Sequence, residues 1–190
     1  MATLQHGTAR INYEVHGQGP TILLSHGYSY SHAMWDGQLE ALAAHHQVIC
    51  WDMRGHGQSE AGNKPASYSV RASVGDMFAL LDHCAVDRAV IGGLSLGGYI
   101  SLAFHLAHPE RTRALMLFDT GPGFKKDAAR DQWNASAITR AEKFETQGLA
   151  ALAAASPAAR DANHVSAVGL AHAARGMLAQ SDAEIIFSLP

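Results

Sequence analysis

Apolar residues recur along this chain with two alternating periods. Between Thr8 and His16 every second position is apolar, with Ile11, Tyr13 and Val15 on one face, which predicts a half-buried strand. Thr21-Ile-Leu-Leu24 is instead a short continuous apolar run, as expected of a parallel strand covered on both faces; the turn Gly17-Gln-Gly19-Pro20 separates the two. From Ser31, read as an N-cap, the period lengthens, and Trp35, Leu39, Leu42 and Ala43 form the inner stripe of a helix. Gln47-Val-Ile-Cys-Trp51 returns to a strand. After a polar loop, Val70, Val74, Met77, Phe78 and Leu81 define a second amphipathic helix. Arg88-Ala-Val-Ile-Gly-Gly93 reads as a buried strand that runs into a third helix, marked by Leu96, Tyr99, Ile100, Ala103 and Leu106 and stopped by Pro109. Arg113-Ala-Leu-Met-Leu-Phe118 is a further strand. This alternation predicts an α/β fold with a mostly parallel, doubly wound sheet and helices on both faces.

The texture changes at Gly121-Pro-Gly123. Residues 125–189 are rich in alanine and carry helical patterns only. Ser156-Pro157 offers an N-cap followed by proline at the first helical position, and Ser181-x-x-Glu184 is a capping box. The chain therefore divides into a core over residues 1–123 and a helical lid over residues 124–190, with a plain helical tail as the alternative to a lid.

Composition narrows the function classes. With 190 residues, 47% hydrophobic and 16% charged, the chain is globular in character and long enough for one sizeable core. A formal net charge of -3 leaves no basic footprint for nucleic acid. No apolar run is long enough to cross a bilayer, and Met1-Ala-Thr-Leu-Gln-His6 lacks the basic start and apolar stretch of a signal peptide. Cys50 and Cys84 both sit inside apolar patterns, which predicts buried free thiols and a reducing cytoplasm. The 12 histidines show no metal-ligand spacing, so neither a metal nor another cofactor is expected.

The candidate chemistry centres on Gly93-Leu94-Ser95-Leu96-Gly97, at the junction of a strand and a helix. A G-x-S-x-G in that context is a nucleophile elbow. The turn is so tight that only very small residues fit two positions before and after the serine; the hydroxyl stands above the sheet and the next backbone N–H points at a developing oxyanion. The alternative is a serine that merely suits a tight turn. Three further motifs stand at the carboxyl ends of predicted strands, where ligands bind in open α/β sheets: Ser25-His26-Gly27-Tyr28, Asp52-Met-Arg-Gly-His-Gly-Gln-Ser59 and Asp119-Thr-Gly-Pro-Gly123. His26 is expected to shape its loop by hydrogen bonding, Asp52 and Arg54 to fix theirs through a local ion pair or backbone contacts, and His56 to face solvent.

Taken in order, these motifs resemble the α/β-hydrolase family, in particular its lid-bearing, esterase-like members, over essentially the whole chain. The resemblance implies that Ser95 is a nucleophile and that the backbone N–H groups of Tyr28 and Leu96 form an oxyanion hole, with Gly93, Gly97, His26 and Gly27 shaping the elbow and its facing loop. It also implies that the residues after Gly123 shape the pocket for a small-molecule ester. Serine at the elbow separates the chain from haloalkane dehalogenases and epoxide hydrolases, which carry aspartate there. Family members place the catalytic acid after the strand that follows the lid, and the histidine after the final strand. This chain stops at Ser188-Leu-Pro190, so the expectation is a fold truncated after its lid, with acid and base not evident. Asp119 is the internal candidate for the acid, because some relatives carry theirs at that point; the alternative is an aspartate that caps its turn. His164 and His172 lie on the lid eight residues apart, within conceivable reach of Ser95 but expected to be exposed. The resulting expectation is a serine hydrolase acting on carboxylic esters or related acyl compounds, against a non-catalytic hydrolase-like module that binds or assembles. The strand over 113–118 is expected to be an apolar sheet edge through which copies of the chain associate.

Overall fold

The computed structural model describes residues 1–180. Its sheet has six strands: β1 (Ala2–His6), β2 (Ala9–His16), β3 (Thr21–Ser25), β4 (Gln47–Trp51), β5 (Ala89–Leu94) and β6 (Thr112–Phe118), in the spatial order β1-β2-β4-β3-β5-β6. The four strands from β4 to β6 run parallel, and β1 and β2 form an antiparallel flank. β1 was not legible in the sequence. It is short and mostly exposed, tied to β2 through a left-handed Gly7 (φ 58°), so neither apolar alternation nor length marks it.

The two-residue repeat of the strands sorts the core into two layers. Leu23, Ile49, Trp51 and Ile91 face helix α2 (Val70–His83) and helix α3 (Leu96–Ala107), where Met77, Leu80, Ile100 and Phe104 are buried. Ile22, Leu24, Val48 and Cys50 face the other way, against Trp35 and helix α1 (Asp36–Ala43). The doubly wound α/β expectation thus holds. Two local details differ. Ser31 makes no side-chain cap and precedes a short 3₁₀ turn, His32–Trp35, before α1; α2, by contrast, is capped, Ser69 accepting from Ala72 N–H at 3.1 Å. Leu106 is 40% exposed, while Phe104, two positions back, is fully buried and ends the buried stripe of α3.

Beyond residue 123 the chain is helical: α4 (Asp127–Gln147), α5 (Pro157–Arg160) and α6 (Ala167–Ala173), followed by a turn of wider π helix, Ala174–Leu178. Ala137, Ala141 and Phe144 form the buried stripe of α4, and Ser156 caps α5. One apolar cluster runs from the sheet through Tyr28, Leu96 and Tyr99 into Phe144, Leu170 and Met177, so the helical segment lies on the core rather than trailing from it. The predicted capping box at Ser181 to Glu184 lies outside the described residues, as does Ser188-Leu-Pro190. At the other end of the sheet order, β6 leaves Leu117 and Phe118 exposed.

Candidate active site

Ser95 stands between the last residue of β5 and the first of α3 with φ 50° and ψ -112°. That is the left-handed half of the map, which a residue with a Cβ enters at a cost of about 1–3 kcal/mol and keeps only when its surroundings fix it. They do so here. Ser95 N–H donates to Phe118 C=O at 2.9 Å, and Ser95 C=O accepts from Tyr99 N–H at 3.0 Å and from the Thr120 hydroxyl at 2.7 Å. The glycines leave no alternative: a Cβ on Gly93 would lie 2.4 Å from the Gly97 carbonyl carbon, and one on Gly97 would lie 2.3 Å from Ser25 O and 2.5 Å from His26 O. These contacts press the 25–26 backbone against the start of α3. Sequence reasoning missed two contributors. Thr120 buttresses Ser95, and Gly98 is packed so tightly that its Cβ would sit 2.4 Å from the Thr120 methyl.

Ser95 opens on a cavity of about 290 Å³. Leu96, Tyr99, Phe124, Trp133, Met177 and Leu178 give it apolar walls, and Asp119, Thr120 and Gln180 bring polar groups. The wall is hydrogen-bonded into place: Trp133 Nε1–H donates to Leu178 C=O at 2.7 Å, and Asn134 makes two 2.8 Å bonds to the backbone of Gln180. Asp119 is exposed at the rim, with φ 44°. Among the described residues no hydrogen bond joins it to a histidine, and none joins Ser95 Oγ to one. Leu96 N–H is among the first four of α3, which have no acceptor within the helix.

Tyr28 lies in the turn after β3, buried but outside the cavity lining; its hydroxyl donates to Leu170 C=O at 2.9 Å. Burial pushes its phenol well above the ordinary value. His26 shapes its loop as expected. Its Nε2 accepts from Met53 N–H at 2.9 Å and its Nδ1–H donates to Gly27 C=O at 2.7 Å, an arrangement that requires the neutral ring. Burial drives its pKa down to about 4, against the pull of the Asp52 carboxylate.

In the loop after β4, Asp52 and Arg54 make the backbone contacts expected of them, to Gln58 N–H and Ser67 C=O, but two expectations are corrected: the local ion pair and the exposure of His56. Arg54 does not pair with Asp52 but makes a bidentate pair with Asp76 of α2, at 2.6 and 2.8 Å. Asp52 instead accepts from His32 N–H and Nδ1 (2.7 and 2.8 Å), Asn12 Nδ2 (2.9 Å) and Gln58 N–H (2.9 Å). Burial pushes the Asp52 carboxyl up, but the His32 hydrogen bond and the neighbouring histidines outweigh it and hold the group below the usual carboxylate range. His56 does not face solvent. It is fully buried, with its ring centroid 5.0 Å from that of His26 and 5.9 Å from that of His164, and burial lowers its pKa well below the ordinary value. Nor is His164 exposed or near Ser95: it is buried, accepting from Gly57 N–H at 2.8 Å and donating to Ser29 C=O at 3.0 Å. His172 lies against the Tyr68 ring, 5.2 Å between centroids.

No group of three or more His, Cys, Asp or Glu among the described residues is placed to hold a metal, and no described helix is long and apolar enough to cross a membrane. A family model described as the alpha/beta hydrolase fold matches residues 20–160. The protein named "Putative carbamate hydrolase RutD" of Azorhizobium caulinodans is 42% identical over 111 residues, which are 58% of this chain and 41% of that protein. The 3-oxoadipate enol-lactonase 2 of Acinetobacter baylyi is 30% identical over 153 residues, covering 80% of this chain and 54% of that protein. The chain thus spans about two fifths to one half of the length of these curated relatives. Among solved structures, the enol-lactonase from Burkholderia xenovorans LB400 superimposes with a TM-score of 0.81 at 26% identity, over 97% of this chain and 75% of that one.

Proposed function

This chain belongs to the α/β-hydrolase fold family, and from that premise we propose that it carries the nucleophile of a serine hydrolase acting on small carboxylic esters or related acyl compounds in the cytoplasm. The observation that carries the reading is the backbone of Ser95. A serine at φ 50°, pinned by three hydrogen bonds over an apolar cavity and followed by a helix N-terminus, is strained in the way a nucleophile elbow requires. The relatives' names add chemistry of one kind, since a carbamate, an enol-lactone and the methyl ester named for the Aeromonas hydrophila esterase are all attacked at an acyl carbon.

In this reading Ser95 Oγ bonds to the acyl carbon as a general base takes its proton, and the carbonyl electron pair moves onto oxygen. The N–H groups of Leu96 and Tyr28 meet that oxyanion, where loss of one donor costs about 100- to 1000-fold in rate. Collapse breaks the bond to the leaving alkoxide, which recovers the proton, and water then resolves the acyl-enzyme by the same steps. Asp119 at the cavity rim is the candidate acid. A cavity of about 290 Å³ is near the lower end of ligand sites and suits a small-to-medium apolar acyl group. The exposed β6 edge supports self-association, which light scattering tests; a monodisperse monomer overturns it.

A second reading, a hydrolase-like module that binds without turnover, draws on the lack of a histidine hydrogen-bonded to Ser95 among the described residues. Intact-mass measurement after treatment with a fluorophosphonate separates the two. Stoichiometric labelling that vanishes in Ser95→Ala supports the nucleophile; no labelling favours the binding module.

A further inference from the structure

The turn that carries the proposed oxyanion donor is held from the lid at three consecutive residues. Tyr28 hydroxyl donates to Leu170 C=O at 2.9 Å, Ser29 C=O accepts from His164 Nε2 at 3.0 Å, and the Tyr30 hydroxyl meets Ser156 Oγ at 3.0 Å. Ser29, in the middle, has φ 61°, so the turn contains a strained residue that its own sequence does not favour. His164 also faces the opposite way. Its Nδ1 accepts from Gly57 N–H at 2.8 Å, and its neighbour Val165 N–H donates to Gly57 C=O at 3.0 Å, while Gln58 Nε2 donates to Asn163 C=O. One buried imidazole therefore ties the lid segment 163–165 both to the loop after β4 and to the turn after β3.

We propose that His164 is a positioning residue for the oxyanion turn, coupling docking of the lid to the conformation of Tyr28 and Ser29. The proposal rests on the serine-hydrolase reading of the site. Its physical content is that the turn and the lid order together. With the lid undocked, Ser29 C=O loses its donor and the φ of 61° loses its support, so the backbone of Tyr28, whose N–H the serine-hydrolase reading assigns to the oxyanion hole, is no longer held. Because Nδ1 accepts while Nε2–H donates, only the neutral ring performs both tasks, and a second proton removes the acceptor for Gly57. His56, His26 and Asp52 are the titratable groups turned toward His164 from the core loops; burial lowers the His164 pKa while the Ser29 hydrogen bond and Asp52 oppose the shift.

The test compares wild type with His164→Leu, His164→Gln and Tyr30→Phe by amide hydrogen exchange over residues 26–30 and 55–58 and by the rate of Ser95 labelling with a fluorophosphonate. His164→Leu is expected to raise exchange in both segments and slow labelling by about tenfold or more, since the turn is displaced rather than deleted. His164→Gln, whose amide can accept and donate, is expected to recover most of both. Protection of 26–30 in wild type is expected to fall as the pH drops below about 6.5 and to stay flatter in His164→Gln, which cannot take the proton. Should His164→Leu fail to fold, Tyr30→Phe removes a peripheral lid contact and is expected to loosen the same turn by a smaller factor. Exchange unchanged in every variant overturns the proposal, as does looser exchange with labelling unchanged. An unlabelled wild type sinks the Ser95 reading instead, and exchange alone then decides whether the lid holds the turn.

Discussion

Replacing Asp52 with alanine tests whether the loops beneath the C-terminal helical segment depend on one buried acceptor. The carboxylate is fully buried and accepts four hydrogen bonds: two from His32, one from the Asn12 side chain on β2 and one from Gln58 N–H. Alanine leaves these donors in a space from which water is largely excluded. Hydrogen bonds to a charged group contribute about 1.5–3 kcal/mol each but share their desolvation, so they do not add; removing the partner of a buried charge network costs about 3–5 kcal/mol. For a chain of this size that corresponds to a fall in Tm of roughly 6–20 °C. Urea unfolding at pH 7 followed by circular dichroism gives the number directly. A double-mutant cycle with His32→Ala then apportions it, and a coupling of about 1–3 kcal/mol is expected because the two residues share two of the four bonds. Without Asp52, the hydrogen bond that chiefly raises the His32 pKa is gone, so that pKa should fall in the variant. A loss below 1 kcal/mol, or an unmoved His32 titration, refutes the view of Asp52 as the hub.

Three further outcomes are expected. Gly97→Ala forces a Cβ to 2.3 Å from Ser25 O; despite alanine's better helix propensity it should cost about 1–3 kcal/mol and depress Ser95 labelling, whereas Gly121→Ala, which meets nothing within 4 Å, should stay within about 0.5 kcal/mol on the same unfolding assay. Trp133 forms part of the wall of the Ser95 cavity and packs beside Ser136, Ala137, Arg140 and Leu178, so Trp133→Ala should deepen the cavity in that direction. Initial rates on p-nitrophenyl esters should then shift toward longer acyl chains by about fourfold per added methylene, and an unchanged profile counts against this wall as the acyl boundary. His26 is neutral in the fold with a pKa of about 4 against 6.5 when unfolded, so its contribution is present above pH 6.5 and is lost as the pH falls through the folded value. Between pH 7 and 5 that loss amounts to about 2 kcal/mol in urea unfolding, partly offset by His32, whose raised pKa acts with the opposite sign; stability that holds level in a His32→Ala background contradicts the buried neutral ring.

What the sequence disclosed follows the range over which each feature is encoded. The elbow is local: Gly93, Ser95 and Gly97 lie within five residues, and the steric reason for each is the turn itself, so the motif and its flanking elements could be read together. The core strands and helices were legible for the same reason, because their periods repeat over a few residues. β1 escaped because an exposed five-residue edge strand needs no apolar pattern. The polar partners escaped because they are remote in the chain: Arg54 finds Asp76 22 positions on, Asp52 finds Asn12 40 positions back, and His164 reaches Ser29 across 135 residues. An aspartate on the edge of a helical stripe, or a histidine in an alanine-rich segment, looks solvated until the fold shows what covers it.

That remoteness has a thermodynamic side. Loops at the carboxyl ends of parallel strands normally satisfy their backbone groups with water. Here a helical segment lies over two of them, and residues Asp52 to Gly57 are buried in an unbroken run. Every N–H and C=O so covered needs a replacement partner, at about 1–3 kcal/mol for each one left unmet. Met53 N–H finds His26, Gln58 N–H finds Asp52, and Gly57 finds His164 and Val165. Two of these four partners come from the strand-end loops and two from the helical segment after residue 123. The helical segment after residue 123 therefore supplies bonds without which the loops it covers would be costly to keep dry. On the proposed coupling, docking of this segment and ordering of the 28–30 turn are one event, and substitutions in the seam at Gly57 or His164 should loosen the segment and the turn together rather than either alone.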